Sequence, residues 1–495
     1  MKNLKADVVI AGAGGAGVCA AVTAIEGHAK VIIFEKSHAV GANQTSFAGA
    51  IYAVESKIQH QAGENLTRDK AFDMFMEHVH WSTDARLVKT YIDKSADTIE
   101  WLEKHGIEFE EFLGSYTEDG YRTMHISKGK GHGHGGATIV KRLMDAAKNL
   151  GAEVYMDTPV KKILMSGDRI KGVIAEDKTG EEIHVDTGAL IIATGGYCYN
   201  KEMIKKYDGF TVGHDLVILH KFKHITGDGI QMAWEIGAAA EGMGPHLAGK
   251  NIPGPGINKG VPWLVKNQLR VLEDQPYLWV NKEGKRFINE EIVINHPYIA
   301  NAITRQTSRC AYFIFDYDTK KQMEKTGVDL TPNRMWGDKK IVDLDGQIEQ
   351  CVKDGNENIF IADSLEDLAN KMGVNPEEFL ETVKEYNEYC DKGHDDLFGK
   401  NPGYLRPVRQ PKFYGFKNVP IAYGTFGGIK INEKTEVLDK LDRVIHGIYA
   451  AGNDGNGMYG NPPTYNFKTT SGSALGFALN SGRIAGENVL KYIGK

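Results

Sequence analysis

The start of the chain constrains its fold more than any other stretch. Val8-Val9-Ile10 leads into Gly12-x-Gly14-x-x-Gly17, a helix-forming run follows over Val18 to Ile25, and Val31 to Phe34 ends in the acid Glu35. Strand, glycine turn, helix, strand and acid stand in the order of a dinucleotide-binding βαβ unit. Gly12 permits the tight turn, Gly14 lets backbone approach a pyrophosphate, and Gly17 lets the helix pack on the strand. The turn Gly12-Ala13-Gly14-Gly15-Ala16-Gly17 would aim a helix N-terminus, with its partial positive charge, at the phosphates. Glu35 would accept hydrogen bonds from a ribose, and its charge would repel a 2′-phosphate.

A chain of 495 residues is too long for one core and implies two or more domains. The net charge of −6 gives no basic surface for nucleic acid. No apolar run approaches the eighteen residues of a membrane span, and Met1 to Asp7 pass straight into the first strand. A cytoplasmic location is the expectation. Five scattered cysteines lack C-x-x-C or zinc spacing, so they are expected to be free thiols in a reducing compartment, with no metal site. Lysines such as those of 320–325 read as a solvated face.

Glycine-terminated strands recur along the chain, at Ala189 to Gly196 and at Gly447 to Gly452. Helices are expected over 68–105, 138–150, 228–236 and 473–490, and a β-meander over 160–176. Residues 245–262 carry four prolines and much glycine, which reads as a domain crossing. A nicotinamide domain would be one contiguous unit. A site built from both ends of the chain around an inserted middle points instead to FAD. The expected fold is α/β: a discontinuous Rossmann-type FAD-binding domain, 1–244 and 424–495, with an inserted α+β capping domain, 245–423.

The motifs Gly12-x-Gly14-x-x-Gly17, Glu35-Lys36, Gly41-Ala42-Asn43, Ala193-Thr194-Gly195-Gly196, Thr226-Gly227-Asp228-Gly229, Asn281 to Glu290 and Ala450-Ala451-Gly452 carry a family resemblance. The chain resembles the fumarate reductase and succinate dehydrogenase flavoproteins, in particular the soluble single-chain branch that includes flavocytochrome c fumarate reductase, urocanate reductase and 3-ketosteroid dehydrogenases. The resemblance implies that Glu35 and Lys36 meet the adenosine ribose and that Val160 meets the adenine. The loop with Asn43, Gln44, Ser46, Ala48 and Gly49 would run under the flavin. Ala193, Thr194 and Gly195 would form the second turn, and Asp228 would hold a ribityl or ribose hydroxyl. Gly452 and Asn453 would face the ribityl chain, Asn453 standing where relatives keep Glu. Ser473, Ala474 and Leu475 would aim a helix N-terminus at the flavin pyrimidine. FAD would be bound without a covalent link, because the only His between Glu35 and Gly49 is His38, ahead of Asn43.

The substrate end departs from the fumarate reductases. Their proton-donating Arg, counted from Phe287, falls on Ile294, and no Arg occurs between Arg286 and Arg305. Their substrate His has no counterpart in Tyr423 to Gly428, and residues 454–482 hold no Arg to clamp a carboxylate. Lys does not reproduce the bidentate grip of Arg. Tyr298, Tyr423, Tyr459, Tyr465 and Phe467 instead suggest an aromatic, weakly charged pocket. The expected activity is redox chemistry at a carbon–carbon bond next to a carbonyl, on an apolar or aromatic small molecule other than fumarate, with an unidentified electron donor or acceptor. Tyr298 is the favoured proton-transfer residue, with His296 and Tyr459 as alternatives. Tyr423, Tyr465, His134 and Arg270 are expected substrate contacts, and Arg270 with Glu273 an ion pair. Two other readings stay open at this point: an alcohol or amine dehydrogenase or oxidase with His296 as base, and a redox-neutral flavoprotein.

Overall fold

The computed structural model describes residues 2–495 apart from 41–48, 116–120, 130–134, 219–222, 245, 258–267, 331–339 and 460–469. Five parallel strands form the heart of the larger sheet, in the order Val444–Ala450, Glu182–Ile192, Lys2–Ala11, Val31–Phe34 and Glu153–Tyr155. Val8, Val9, Ile10, Ile32, Ile33 and Leu190 are all fully buried, as strands covered on both faces require. The meander Val160–Ser166, Arg169–Glu176 and Glu182–Ile192 extends the sheet by antiparallel pairing. The strand Val444–Ala450 comes from the far end of the chain, so this sheet is closed by both termini.

The helix Gly15–Glu26 carries no charged residue before its last position and is buried from Gly15 to Ile25. It packs against the C-terminal helix Ser473–Ile493. Glycines make the approach possible: a Cβ on Gly17 would lie 1.9 Å from the Gly12 carbonyl oxygen, and one on Gly482 would lie 2.2 Å from that of Ala16.

A second, six-stranded sheet is centred on the long strand Phe413–Thr425, which pairs with Ala311–Asp316, His246–Asn251, Ile359–Ala362 and Val217–Ile218, while Leu278–Asn281 pairs with Ala311–Asp316. Its alternating side chains feed two cores. Phe313 and Phe315 pack with Ile299, Ile303, Met323 and Ile348 on one face. Tyr312 and Ile314 pack with Leu368, Met372, Phe379 and Val383 on the other. The sheet reaches further back than the expected boundary at 244, because Val217–Ile218 pairs in parallel with Ile421 and Ala422. The Pro- and Gly-rich stretch is also more than a crossing, since it contains the strand His246–Asn251. Lys320 is not on a solvated face: it is 7% exposed and donates to Asp345 at 2.5 Å.

Candidate active site

The first two glycine turns lie at the C-terminal ends of adjacent parallel strands, the usual ligand position in an open α/β sheet. Gly12 has φ +108, and a Cβ there would lie 2.2 Å from the Ala193 carbonyl oxygen, so the turns touch backbone to backbone. Glu35 reaches back across them. Its carboxylate accepts from Ala13 N at 2.7 Å and from Ser37 N at 2.8 Å. Its own carbonyl accepts from Thr158 N at 2.8 Å, which brings the 158–160 segment, with buried Val160, beside the acid. Lys36 Nζ donates to Asp228 at 2.7 Å and to Thr226 Oγ1 at 2.6 Å, so two separate motifs meet at the Glu35 end.

The residues along this line are partly open while their neighbours are buried: Gly12, Gly14, Glu35, Lys36, Gly49, Thr194, Gly195, Asp228, Asn453 and Ala474. The helix Gly15–Glu26 starts at Gly14 with no side-chain cap and no acid in its first turn. The helix Ser473–Ile493 starts likewise at Gly472, with Ser473 and Leu475 buried. Two uncapped helix N-termini, glycine-rich turns and the carboxylates of Glu35 and Asp228 for hydroxyl groups fit a dinucleotide with an anionic diphosphate. Gly452 joins the strip by close packing, its N–H donating to Ser481 Oγ at 2.9 Å.

Sequence patterning alone does not single out Asp454. It is fully buried and accepts hydrogen bonds from Thr194 N, from Thr194 Oγ1 at 2.9 Å, from Gly195 N at 3.1 Å and from Gly196 N at 2.9 Å. One carboxylate therefore stitches the second turn to the last. Burial pushes its pKa up, against the pull of these donors. The signal in the sequence is an acid between Asn453 and Gly455, directly after the third glycine turn.

The capping segment is held by charge. Arg286 donates to Glu290 at 2.9 and 2.8 Å and to Asp395 at 2.9 and 2.8 Å, all buried. Beyond this clamp, Ile294 is half-buried and His296 opens the helix His296–Thr304. His296 Nε2 lies 3.0 Å from Asp274 Oδ1. Tyr298, one position beyond Pro297, is 40% exposed. Tyr459 is buried against Phe426, with ring centroids 4.3 Å apart, and its hydroxyl lies 3.4 Å from Ser473 Oγ. Tyr423 is the extra residue of a β-bulge, since Leu247 pairs with Gly424 and Ala248 with Ala422. Bulges re-aim side chains, and the ring of Tyr423 rests over Gly249, where a Cβ would be 3.0 Å away. Glu273 is buried and accepts from Ile252 N at 2.9 Å. Asn43, Gln44, Ser46, Ala48, His134 and Tyr465 lie outside the described residues, as does the side chain of Arg270.

His125 lies on the strand Met124–Ser127, which pairs with Ala50–Tyr52 and Phe109–Gly114 beside this region. It is fully buried, with Nε2 2.5 Å from Ser56 Oγ and Nδ1 3.1 Å from the Thr123 carbonyl oxygen. Burial pulls its pKa down to about 4. No group of three or more metal-ligating side chains occurs among the described residues.

Residues 7–463 match the family described as FAD binding domain. The chain is 34% identical to a vinyl phenol reductase of Lactiplantibacillus plantarum, over 99% of this chain and 97% of that protein. It is 27% identical to an NADH:fumarate oxidoreductase of Klebsiella pneumoniae, over 98% of this chain but only 48% of that longer protein. Among solved structures, the open conformation of a flavocytochrome c3 fumarate reductase superposes with a TM-score of 0.73 at 27% identity, covering 99% of this chain and 79% of the other.

Proposed function

The chain belongs to the FAD binding domain family and is an FAD-dependent oxidoreductase, and on that premise we propose that it reduces, or in reverse forms, a conjugated carbon–carbon double bond in an apolar or aromatic small molecule other than fumarate. The activating group is a carbonyl or a hydroxyaryl ring. One observation carries this reading: the described part of the cofactor strip fits a dinucleotide, while the segment after the Arg286–Glu290 clamp carries half-buried Ile294 at the position where the family resemblance puts the Arg of the fumarate reductases. The stretch 287–304 itself holds no arginine to clamp a dicarboxylate.

Bound FAD supplies the hydride chemistry. The Gly12–Gly17 turn and the helix behind it hold the diphosphate. Glu35 with the Lys36–Asp228 pair holds the ribose end, and Ala193–Gly195, Asn453 and the Ser473–Leu475 turn hold the rest. No covalent tether is proposed: His38, the single His between Glu35 and Gly49, is exposed. The chain's own chemical task is to move one proton to or from the substrate carbon. We assign this to His296 rather than Tyr298, because the imidazole is largely enclosed and held by Asp274 while the phenol stands 40% exposed. An imidazole can give or take that proton near neutral pH. The redox partner is a small-molecule or protein carrier of electrons.

The test is anaerobic reoxidation of a reduced viologen dye by the purified flavoprotein. 4-Hydroxystyrene or an aryl enone should drive reoxidation well above the substrate-free rate, and fumarate should leave that rate unchanged. A robust fumarate-dependent rate overturns the reading.

A further inference from the structure

Lys250, Asp274 and His296 come from three separate elements and meet inside the cap. Lys250 lies in the strand His246–Asn251, Asp274 follows the short helix Leu269–Leu272, and His296 begins the helix His296–Thr304. Asp274 Oδ1 accepts from Lys250 Nζ at 2.6 Å, and His296 Nε2 lies 3.0 Å from the same oxygen. Lys250 also donates to the Val293 carbonyl at 3.0 Å, tying the strand to the segment that ends in the histidine. The lysine and aspartate side chains are 1% and 5% exposed.

Burying such a pair sacrifices much of both ions' hydration, and apolar residues of the same volume often hold a fold as well or better. The pair is therefore weak evidence for a purely structural role. Its distinguishing feature is the third group, a titratable ring on the same carboxylate oxygen.

We propose that Asp274 and Lys250 are positioning residues that set the tautomer and the charge of His296; the inference rests on the assignment of proton transfer to His296. With Nε2–H held by Asp274, Nδ1 is the nitrogen that exchanges a proton with the substrate. In the reducing direction the Nδ1–H bond of the imidazolium breaks and the proton joins the electron pair on the substrate carbon. That pair would be left by the hydride chemistry that bound FAD would supply at the neighbouring carbon. The bonding electrons stay on Nδ1, the ring becomes neutral, and water restores its proton. Asp274 favours the imidazolium by its charge. Lys250 neutralises part of that charge, so the proton is held but not trapped.

Among the described residues, the charged and titratable groups brought by the surrounding elements are Lys250 from the strand, Glu273 and Asp274 from the segment after Leu272, and Tyr423 from the bulge. The histidine's own segment adds Glu290, clamped by Arg286, and Glu291, which accepts from Asn401 N at 2.7 Å. Glu273 is engaged with the Ile252 N–H and is common to every variant below.

The experiment uses the FAD-loaded protein with an aryl alkene and a reduced dye, for wild type, His296→Gln, Asp274→Asn and Lys250→Met. His296→Gln should lower kcat about 100-fold or more. The rate should fall as pH rises through the titration of the donor. Asp274→Asn removes the charge that supports the imidazolium and should move that fall to lower pH, while Lys250→Met leaves the aspartate uncompensated and should move it to higher pH, each by roughly one unit or more. A structural role alone moves the two in no such opposed way. Nitrogen-15 NMR of the wild-type imidazoles supplies a readout free of turnover and of any variant's folding: neutral His296 should be the Nε2–H tautomer. Shifts in the same direction, no shift, or an Nδ1–H tautomer overturn the proposal. Should the wild type reduce no alkene at all, the functional reading has failed, and the tautomer decides the triad by itself.

Discussion

Arg286 makes four charge-assisted bonds to two carboxylates that come from positions 4 and 109 residues away. Its guanidinium also stacks over Tyr386 and Phe398, at 5.1 and 5.2 Å from the ring centroids. Lys400 adds a second cation 3.4 Å from Glu290. Removing the arginine leaves Glu290 and Asp395 buried without their main counter-charge. Arg286→Ala should cost about 3–5 kcal/mol, read as a large drop in the melting temperature of the cap, and Arg286→Lys should restore only part of it because a lysine cannot fork. His125 sets a pH limit from the opposite direction. Its folded-state pKa, about 4, is depressed below the ordinary value of 6.5. Between those values the unfolded chain takes up a proton that the folded chain refuses. Stability contributed by the neutral ring is thus present above pH 6.5 and is lost as pH falls toward 4, by at most about 3 kcal/mol. Melting measured from pH 7 to 4.5 should fall steeply in the wild type and more gently in His125→Gln; equal slopes would remove His125 as the cause.

At the scale of elements, the cofactor strip depends on how closely the helices Gly15–Glu26 and Ser473–Ile493 approach. Gly482 lies where any Cβ would sit 2.2 Å from the Ala16 carbonyl oxygen, and a backbone atom cannot swing aside as a side chain can. Gly482→Val should push the helices apart and shift Ala16 and the turn before it. The expected outcome is loss of bound FAD, read as the flavin-to-protein absorbance ratio, with folded secondary structure retained by circular dichroism. Full flavin occupancy in that variant would show that the strip tolerates the shift.

At the scale of the whole molecule, two sheets are joined by crossings rich in glycine. A Cβ on Gly427 would lie 2.2 Å from the Gly242 carbonyl oxygen, so the two crossings pack backbone on backbone. Thr425 Oγ1 accepts from Tyr197 N at 3.0 Å and links the cap's central strand to the second glycine turn. We propose that the block 245–423, together with the strand Val217–Ile218 that pairs with it, rotates about these crossings to enclose substrate and exclude water. Free and ligand-bound crystal structures should differ by a rigid rotation of that block; the same placement in both states would argue for a fixed cap.

What the sequence determined by itself was local. Apolar runs ending in glycine, the spacing of Gly12, Gly14 and Gly17, and the acid Glu35 were legible because period and backbone freedom act over a few residues. The FAD-binding fold, closed by both ends of the chain, and the family followed from those motifs taken together. The helices Asp228–Glu235 and Ser473–Ile493 and most of Gly135–Asn149 followed from the same patterning, while the expected 68–105 run divides into Arg68–His78 and Ala85–Lys104. What only the tertiary structure decided was which charges meet. Asp454 bonds a turn 260 residues away, Arg286 finds Asp395, and Lys250 and Asp274 enclose His296. Lys320, which reads as a solvated face, is buried on Asp345 for the same reason. A charged residue looks the same in sequence whether water or a buried partner surrounds it. Its partner is chosen by strand order, by a bulge such as the one at Tyr423 and by helix packing, which no short window of sequence contains.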